Sequence, residues 1–154
     1  MKQQGYNVLV CSECDLHFYI NPKPVNAIIL ENEKNEILFV IRKIEPKQGM
    51  LDLPGGFVDV DETFEESMKR EVKEEINIDL QSVSYVTSFS DEYEHGGLSA
   101  RTICALFHEE LPSDTEIVPG DDAAGYQWIK KFEIPFERLA FEGMREALKT
   151  YVKR

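Results

Sequence analysis

Three glutamates, Glu71, Glu74 and Glu75, stand within five residues of one another, behind a Pro54-Gly55-Gly56 break. On a helix, at about 100° per residue, their side chains fall within an arc of roughly 100°. Carboxylates that close repel and raise one another's pKa unless a cation intervenes. Hard divalent ions prefer such oxygen ligands, with Mg²⁺ the expected occupant and Mn²⁺ an alternative. A cation held there could offset the charge of a bound phosphate and help deprotonate an attacking water. The chemistry suggested is hydrolysis of a phosphate anhydride, with a nearby carboxylate taking the proton. A Glu-rich face can also be merely solvated, and Lys69, Lys73 and Glu66 on the other side of the helix read that way.

Positioning such a face requires a well-defined helix. Thr63 and Glu66 form a T-x-x-E capping box at its start. Phe64, Met68, Val72 and Ile76 recur every four residues and give one apolar stripe beside the carboxylate arc. Asn77 is a natural stop, because asparagine tolerates the left-handed conformation. Upstream, Val25 to Glu31 and Glu36 to Lys43 read as strands joined by a polar turn. Downstream, Ser82 to Ser90, Ser99 to Phe107 and Ala124 to Ile129 read as further strands. Asp91 to Gly97 reads as a polar connector and Leu111 to Asp122 as a Pro/Gly/Asp-rich loop. The segment from Leu139 is amphipathic and ends in basic residues, as a C-terminal helix should. Interleaved strands and helices predict an α/β arrangement with helices packed over a mixed sheet.

The run from Gly56 to Ile78, GFVDVDETFEESMKREVKEEINI, also resembles the Nudix box, G-x5-E-x7-R-E-U-x-E-E-x-G-U with U aliphatic. Gly56, Glu62, Arg70, Glu71, Val72, Glu74, Glu75 and Ile78 match it, and Asn77 replaces the last glycine. The resemblance implies a Nudix-type α/β/α sandwich and a Mg²⁺-dependent pyrophosphohydrolase. Its substrate would be a nucleoside diphosphate linked to another moiety. It implies Glu71, Glu74, Glu75 and the Gly55 carbonyl as metal ligands, Arg70 as the residue that orients the carboxylates, and Glu62 as a secondary acidic contributor. Glu74 is the first candidate for general base and Glu71 the second, with Glu92, Glu94, Asp121 and Asp122 as loop alternatives. A different class, a non-enzymatic nucleotide-binding or regulatory module on the same fold, is the alternative; the intact set of acids argues against it.

The N-terminal CSECDLHFYINPKP resembles the second half of the zinc ribbon that precedes the catalytic domain in NADH-pyrophosphatase-like Nudix proteins. This divides the chain into a degenerate half ribbon, residues 1–24, and a hydrolase domain, residues 25–154. A structural zinc site takes four ligands. Cys11 and Cys14, with His17, supply at most three, so the segment is either a metal-free remnant or a zinc site completed by His17 or by another subunit. Cys104 lies in an expected strand and reads as a small core residue. The likeness continues through EPKQGMLDLPGGFVD and LAFEGMREAL. The SQPWPFP-type element of true NADH pyrophosphatases is replaced by SFSDEYEHGGLSA, which disfavours NADH as substrate. Arg42 and Lys47 are candidate phosphate holders, and Phe57, Phe89 and Tyr93 candidate stacking partners for a base; each has an ordinary surface or packing role as its alternative. Trp128 reads as core.

At 154 residues, the chain is the size of one domain. A net charge of −12 opposes binding to duplex DNA but not to a small phosphate compound met through a cation. No apolar stretch reaches membrane-spanning length, and the start lacks the signs of a signal peptide, so the expected location is the cytoplasm. Three cysteines argue against a disulfide framework. Homodimerisation is open, with no contact surface legible.

Overall fold

The computed structural model describes residues 2–3, 7–120 and 123–153. Asp121 and Asp122 therefore lie outside the described residues. Three short strands come first: β1 (Lys2–Gln3), β2 (Val8–Val10) and β3 (His17–Tyr19), forming a separate antiparallel sheet. The main sheet has six strands: β4 (Lys23–Glu31), β5 (Glu36–Arg42), β6 (Leu51–Asp52), β7 (Ser84–His95), β8 (Leu98–Glu110) and β9 (Ala123–Lys130). Helix α1 (Phe64–Ile76) lies between β6 and β7, and α2 (Glu142–Tyr151) closes the described chain.

The sheet is mixed. Strand β4 runs parallel to β8 from Lys23↔Thr102 to Glu31↔Glu110, and the other pairings are antiparallel. Both faces of β4 are covered, which explains its unbroken apolar run. Ile28 and Leu30 join Met68, Val72 and Ile76 of α1 in one cluster. Ala27 and Ile29 join Met144 and Leu148 of α2 in the other. The result is the expected α/β/α sandwich. Met68, Val72 and Ile76 are fully buried, so truncating Met68 to alanine should cost about 2–5 kcal/mol. Trp128 is half-buried and packs against the α1-side cluster, while Cys104 is buried in the α2-side cluster.

One expectation is corrected. Asp91 to Gly97 is not a loop: β7 continues to His95, pairing residue by residue with β8 as far as His95↔Leu98. Only Gly96 and Gly97 turn, both at positive φ, as a two-residue hairpin requires. The polar side chains that suggested a connector belong to a long ribbon, where Glu92 pairs with Arg101 and accepts from the Ser99 hydroxyl. The C-terminal helix begins at Glu142 rather than Leu139, because a short 3-10 turn and the Leu139–Phe141 stretch precede it.

The key irregularity lies between β4 and β5. They share one register pair, Glu31↔Ile37, and then separate. On β5 the gap is filled by β6, paired through Val40↔Asp52 and Ile41↔Leu51. On β4 it is filled by the following turn, where the carbonyls of Pro54 and Gly56 accept from the N–H groups of Ile28 and Asn26 at 2.9 Å each. The turn that leads into α1 is thus stitched into the sheet.

Candidate active site

The wedge between β4 and β5 opens into a cavity of about 330 Å³. Its lining includes Arg42, Asp52, Gly55, Phe57, Glu71, Glu75, Asp91, Tyr93 and Phe141. Gly55 and Gly56 are required by close approach. Gly55 sits at φ 151°, and a Cβ there would lie 2.2 Å from the Asn26 carbonyl oxygen. At Gly56 a Cβ would meet the Glu71 carboxyl at 2.5 Å. The buried Asn26 side chain locks the turn to the helix: its Oδ1 accepts from the Gly56 N–H at 3.2 Å, and its Nδ2 donates to Ser67 Oγ at 2.8 Å.

Helix α1 starts and stops as its sequence indicates. Thr63 Oγ1 accepts from the Glu66 N–H, and the Glu66 carboxylate accepts from the Thr63 N–H. Asn77 caps the other end in the left-handed conformation, φ 58°. Between these ends the acids divide into two sets. Glu71 and Glu75, one helical turn apart, line the cavity. Glu75 accepts from the Gly55 N–H at 3.0 Å, and burial pushes its pKa up to about 8. Burial likewise raises Glu71. Asp52 is pushed up to about 6 by burial, despite its 2.7 Å ion pair with Arg42.

The second set lies on the rim around Arg70. Its Nε and Nη2 donate to the two Glu62 oxygens at 2.7 and 2.8 Å. Its Nη1 donates to Glu71 at 2.8 Å and to Glu74 at 3.2 Å. The Arg70 hydrogen bonds hold Glu62 down at about 2, and the Glu62 carboxylate in turn raises the Arg70 pKa. Glu74 has a 61% exposed side chain and is not among the cavity-lining residues. The three glutamates are therefore neighbours on the helix but do not all face one space. Among the described residues no group of three or more His, Cys, Asp or Glu is gathered as a metal site.

The other expected residues are partly brought together. Arg42 lines the cavity, but its donors are engaged by Asp52 and by the Pro46 carbonyl, and its guanidinium lies 5.2 Å from the Phe141 ring centroid. Lys47 lies outside, beside a shallow depression with Glu92 and Glu94. Phe57 meets Tyr93 edge-on at 5.4 Å, and Tyr93 stacks on Phe141 at 6.2 Å, making a row of aromatic rings along the cavity. Phe89 lines the same space.

Four residues escaped the sequence reading. Asp52, Asp91, Asn26 and Phe141 all line the cavity. Asp91 accepts from the N–H groups of Gly143 and Met144 at 2.9 and 3.3 Å, tying β7 to the start of α2. A signal existed for Asp52, a charge inside the otherwise apolar LDLP run. Asp91 and Phe141 come from distant elements, and only the tertiary fold joins them.

A family model described as the NUDIX domain matches residues 21–151. The chain belongs to the Nudix hydrolase family. It is 32% identical over 137 residues to an ADP-ribose pyrophosphatase of Methanocaldococcus jannaschii, covering 88% of this chain and 76% of that protein. It is also 32% identical over 127 residues to the NAD-capped RNA hydrolase NudC of Salmonella heidelberg, covering 82% of this chain but 46% of that protein. The chain thus spans about half the length of its NudC relatives. Among solved structures, a NUDIX hydrolase from Nitrosomonas europaea superposes with a TM-score of 0.70 at 29% identity, over 94% of this chain and 77% of that one. A pyrophosphohydrolase for nucleoside-diphosphate-linked substrates agrees with these Nudix relatives. Nudix hydrolases generally use divalent metals. The donor set here fits such an ion, since two desolvated carboxylates face one cavity with their pKa values raised by burial. No helix among the described residues is long and apolar enough to cross a membrane.

Proposed function

We propose that residues 25–154 form a Mg²⁺-dependent hydrolase that cuts the diphosphate of a nucleoside diphosphate joined to a second moiety, with ADP-ribose the first substrate to test. Residues 1–24 are an appended segment, the degenerate half ribbon. The observation that carries the reading is the pair of cavity-facing carboxylates, Glu71 and Glu75, behind the Gly55-Gly56 turn. ADP-ribose is favoured because the archaeal relative of that name is matched over most of both chains.

In this reading Glu71, Glu75 and the Gly55 carbonyl would hold the metal, Glu74 would join them only by leaving Arg70, and Mn²⁺ could substitute. When bound, Mg²⁺ offsets the diphosphate charge and lowers the pKa of the attacking water. Glu71, already in the cavity, accepts the proton of that water ahead of Glu74, which faces the rim. Arg70 fixes Glu71 and Glu74 relative to Glu62 and does not touch substrate. The Phe57, Tyr93 and Phe141 rings offer an apolar wall against which a base can lie. Arg42, engaged by Asp52, contributes positive potential near the phosphates.

The test is a panel in Mg²⁺: ADP-ribose, NADH, nucleotide sugars, dinucleoside polyphosphates and nucleoside triphosphates, with products identified by mass spectrometry. Cleavage of ADP-ribose to AMP and ribose 5-phosphate, absent in Glu75→Gln, is the expected result. Folded, metal-loaded protein that binds ADP-ribose and returns it uncut would overturn the enzyme reading in favour of a binding module.

A further inference from the structure

Helix α2 begins without a cap of its own. Phe141 is its N-cap residue and makes no side-chain hydrogen bond to the first turn, whose N–H groups lack partners inside the helix. Asp91 of β7 supplies the acceptors instead. Its Oδ1 accepts from the Gly143 N–H at 2.9 Å and its Oδ2 from the Met144 N–H at 3.3 Å. A carboxylate there also meets the positive end of the helix dipole. Asp91 stands between Phe89 and Tyr93 on β7, and because side chains alternate along a strand the three share one face. All three line the cavity.

The junction is tight at Gly143. A Cβ there would lie 2.5 Å from the Ser90 carbonyl oxygen, 2.7 Å from Asp91 Oδ2 and 2.8 Å from a Phe89 ring carbon. Phe141 is fixed by the same junction. Its carbonyl accepts from the Arg145 N–H at 3.1 Å, the first bond of the helix. Its ring stacks on Tyr93 at 6.2 Å, with the Arg42 guanidinium 5.2 Å from its centroid. The place of the ring against β7 thus depends on the helix start, and the helix start on Asp91.

We propose that Asp91 is a positioning residue for the nucleoside end of the substrate. By capping α2 from β7 it holds Phe141 against Tyr93, as part of the surface on which a base lies. This role rests on the reading of the Phe57, Tyr93 and Phe141 rings as a base wall. A base gains most from a ring already in place, since ordering a loose side chain on binding would offset part of the stacking gain. The carboxylate acts through the ring and not on the substrate: each of its oxygens already accepts from α2.

The test measures binding of AMP, the expected nucleoside product, by calorimetry in Mg²⁺, together with kcat and KM for ADP-ribose. Asp91→Ala should weaken AMP binding and raise KM about tenfold, with kcat within about threefold of the parent. Gly143→Ala keeps the carboxylate but pushes α2 off β7, and it should show the same split. Parent-strength AMP binding in Gly143→Ala, with loss only in Asp91→Ala, would make Asp91 a direct substrate contact and overturn the proposal. Asp91→Asn, which keeps one acceptor oxygen, should recover part of the loss. Added to Phe141→Ala, Asp91→Ala should weaken AMP binding little further, because both act through the same ring. Two losses that add in full would overturn the proposal. On the unmodified chain, where no variant has to fold, AMP should slow amide exchange at Gly143 and Met144, since coupling is reciprocal. Exchange indifferent to bound AMP would overturn it, as would an Asp91→Ala that loses stability but binds AMP like the parent. Phe141→Ala that binds AMP as tightly as the parent would remove the base wall and this role with it. Weakened Phe141→Ala beside an unaffected Asp91→Ala would remove this role alone.

Discussion

Glu62 and Glu75 flank the same cavity turn, yet their carboxyl groups have opposite fates. Glu62 is clasped by two Arg70 donors and held at about 2. Glu75 receives one backbone N–H and, desolvated, is pushed up to about 8. The rim carries its own cation, built into the helix as Arg70, which Glu62, Glu71 and Glu74 share. On the cavity wall Arg42 is already paired with Asp52, and burial still raises the pKa values of Asp52, Glu71 and Glu75. A wall of that kind is ready for an external divalent ion, whereas the rim is ready for nothing but keeping the wall in place.

The sharpest way to break this contrast is Glu75→Gln. Removing a cavity carboxylate should cut kcat on the order of 10³-fold. The amide can still accept from the Gly55 N–H, so the metal-free variant at neutral pH should be at least as stable as the parent. A parallel loss of activity and stability, read from turnover and urea denaturation, would mean that Glu75 is structural. On the rim, Arg70→Ala should act the other way. It should lower stability by about 1–3 kcal/mol through lost charge-assisted hydrogen bonds. It should lower kcat by about 10–100-fold through mispositioned carboxylates, with KM little changed. Arg70→Lys should recover little, since lysine lacks the fork that spans Glu62, Glu71 and Glu74.

The two regions should also separate along the pH axis. Glu75 has a folded pKa of about 8, raised from 4.5. Its contribution to metal-free stability is full below pH 4.5 and is lost as pH rises to about 8. Glu62 has a folded pKa of about 2, lowered from 4.5. Its contribution is present above pH 4.5 and is lost as pH falls through about 2. Thermal unfolding without metal should therefore show stability declining from pH 5 to pH 8. Mg²⁺ should reverse the decline, because the ion needs the ionised carboxylates and releases their protons on binding. A flat profile that Mg²⁺ leaves unchanged would remove the desolvated wall from the account.

Much of this was legible in the sequence, for physical reasons. The helix could be read from Thr63 to Asn77 because its cap, stripe and stop are local signals, and the structure reproduces each. Its acids were legible as a set but not as two sets. Helical angle places Glu74 within the same arc as Glu71 and Glu75, but it does not say where the sheet's wedge opens or that Arg70 draws Glu74 outward. The long β7–β8 ribbon was misread at its tip because acidic residues and glycine are turn signals, whereas cross-strand pairing decides the matter. Asp91 and Phe141 could not be assigned at all: their importance arises from the meeting of β7 with α2.

The smallest test concerns the far end of the helix, where this chain departs from the family pattern. Asn77 holds φ 58° and ψ 35°, and its N–H donates to the Lys73 carbonyl at 3.0 Å. Glycine would adopt that conformation without strain, so Asn77→Gly should change stability by only a few tenths of a kcal/mol. Alanine would bear the full left-handed penalty, so Asn77→Ala should cost about 1 kcal/mol by urea denaturation. Both should leave kcat near the parent value, because the cap lies two residues beyond Glu75 and so about 200° round the helix from it. If Asn77→Ala instead lowers kcat as strongly as Arg70→Ala, the last helical turn itself aims Glu75, and positioning is not the work of the rim alone.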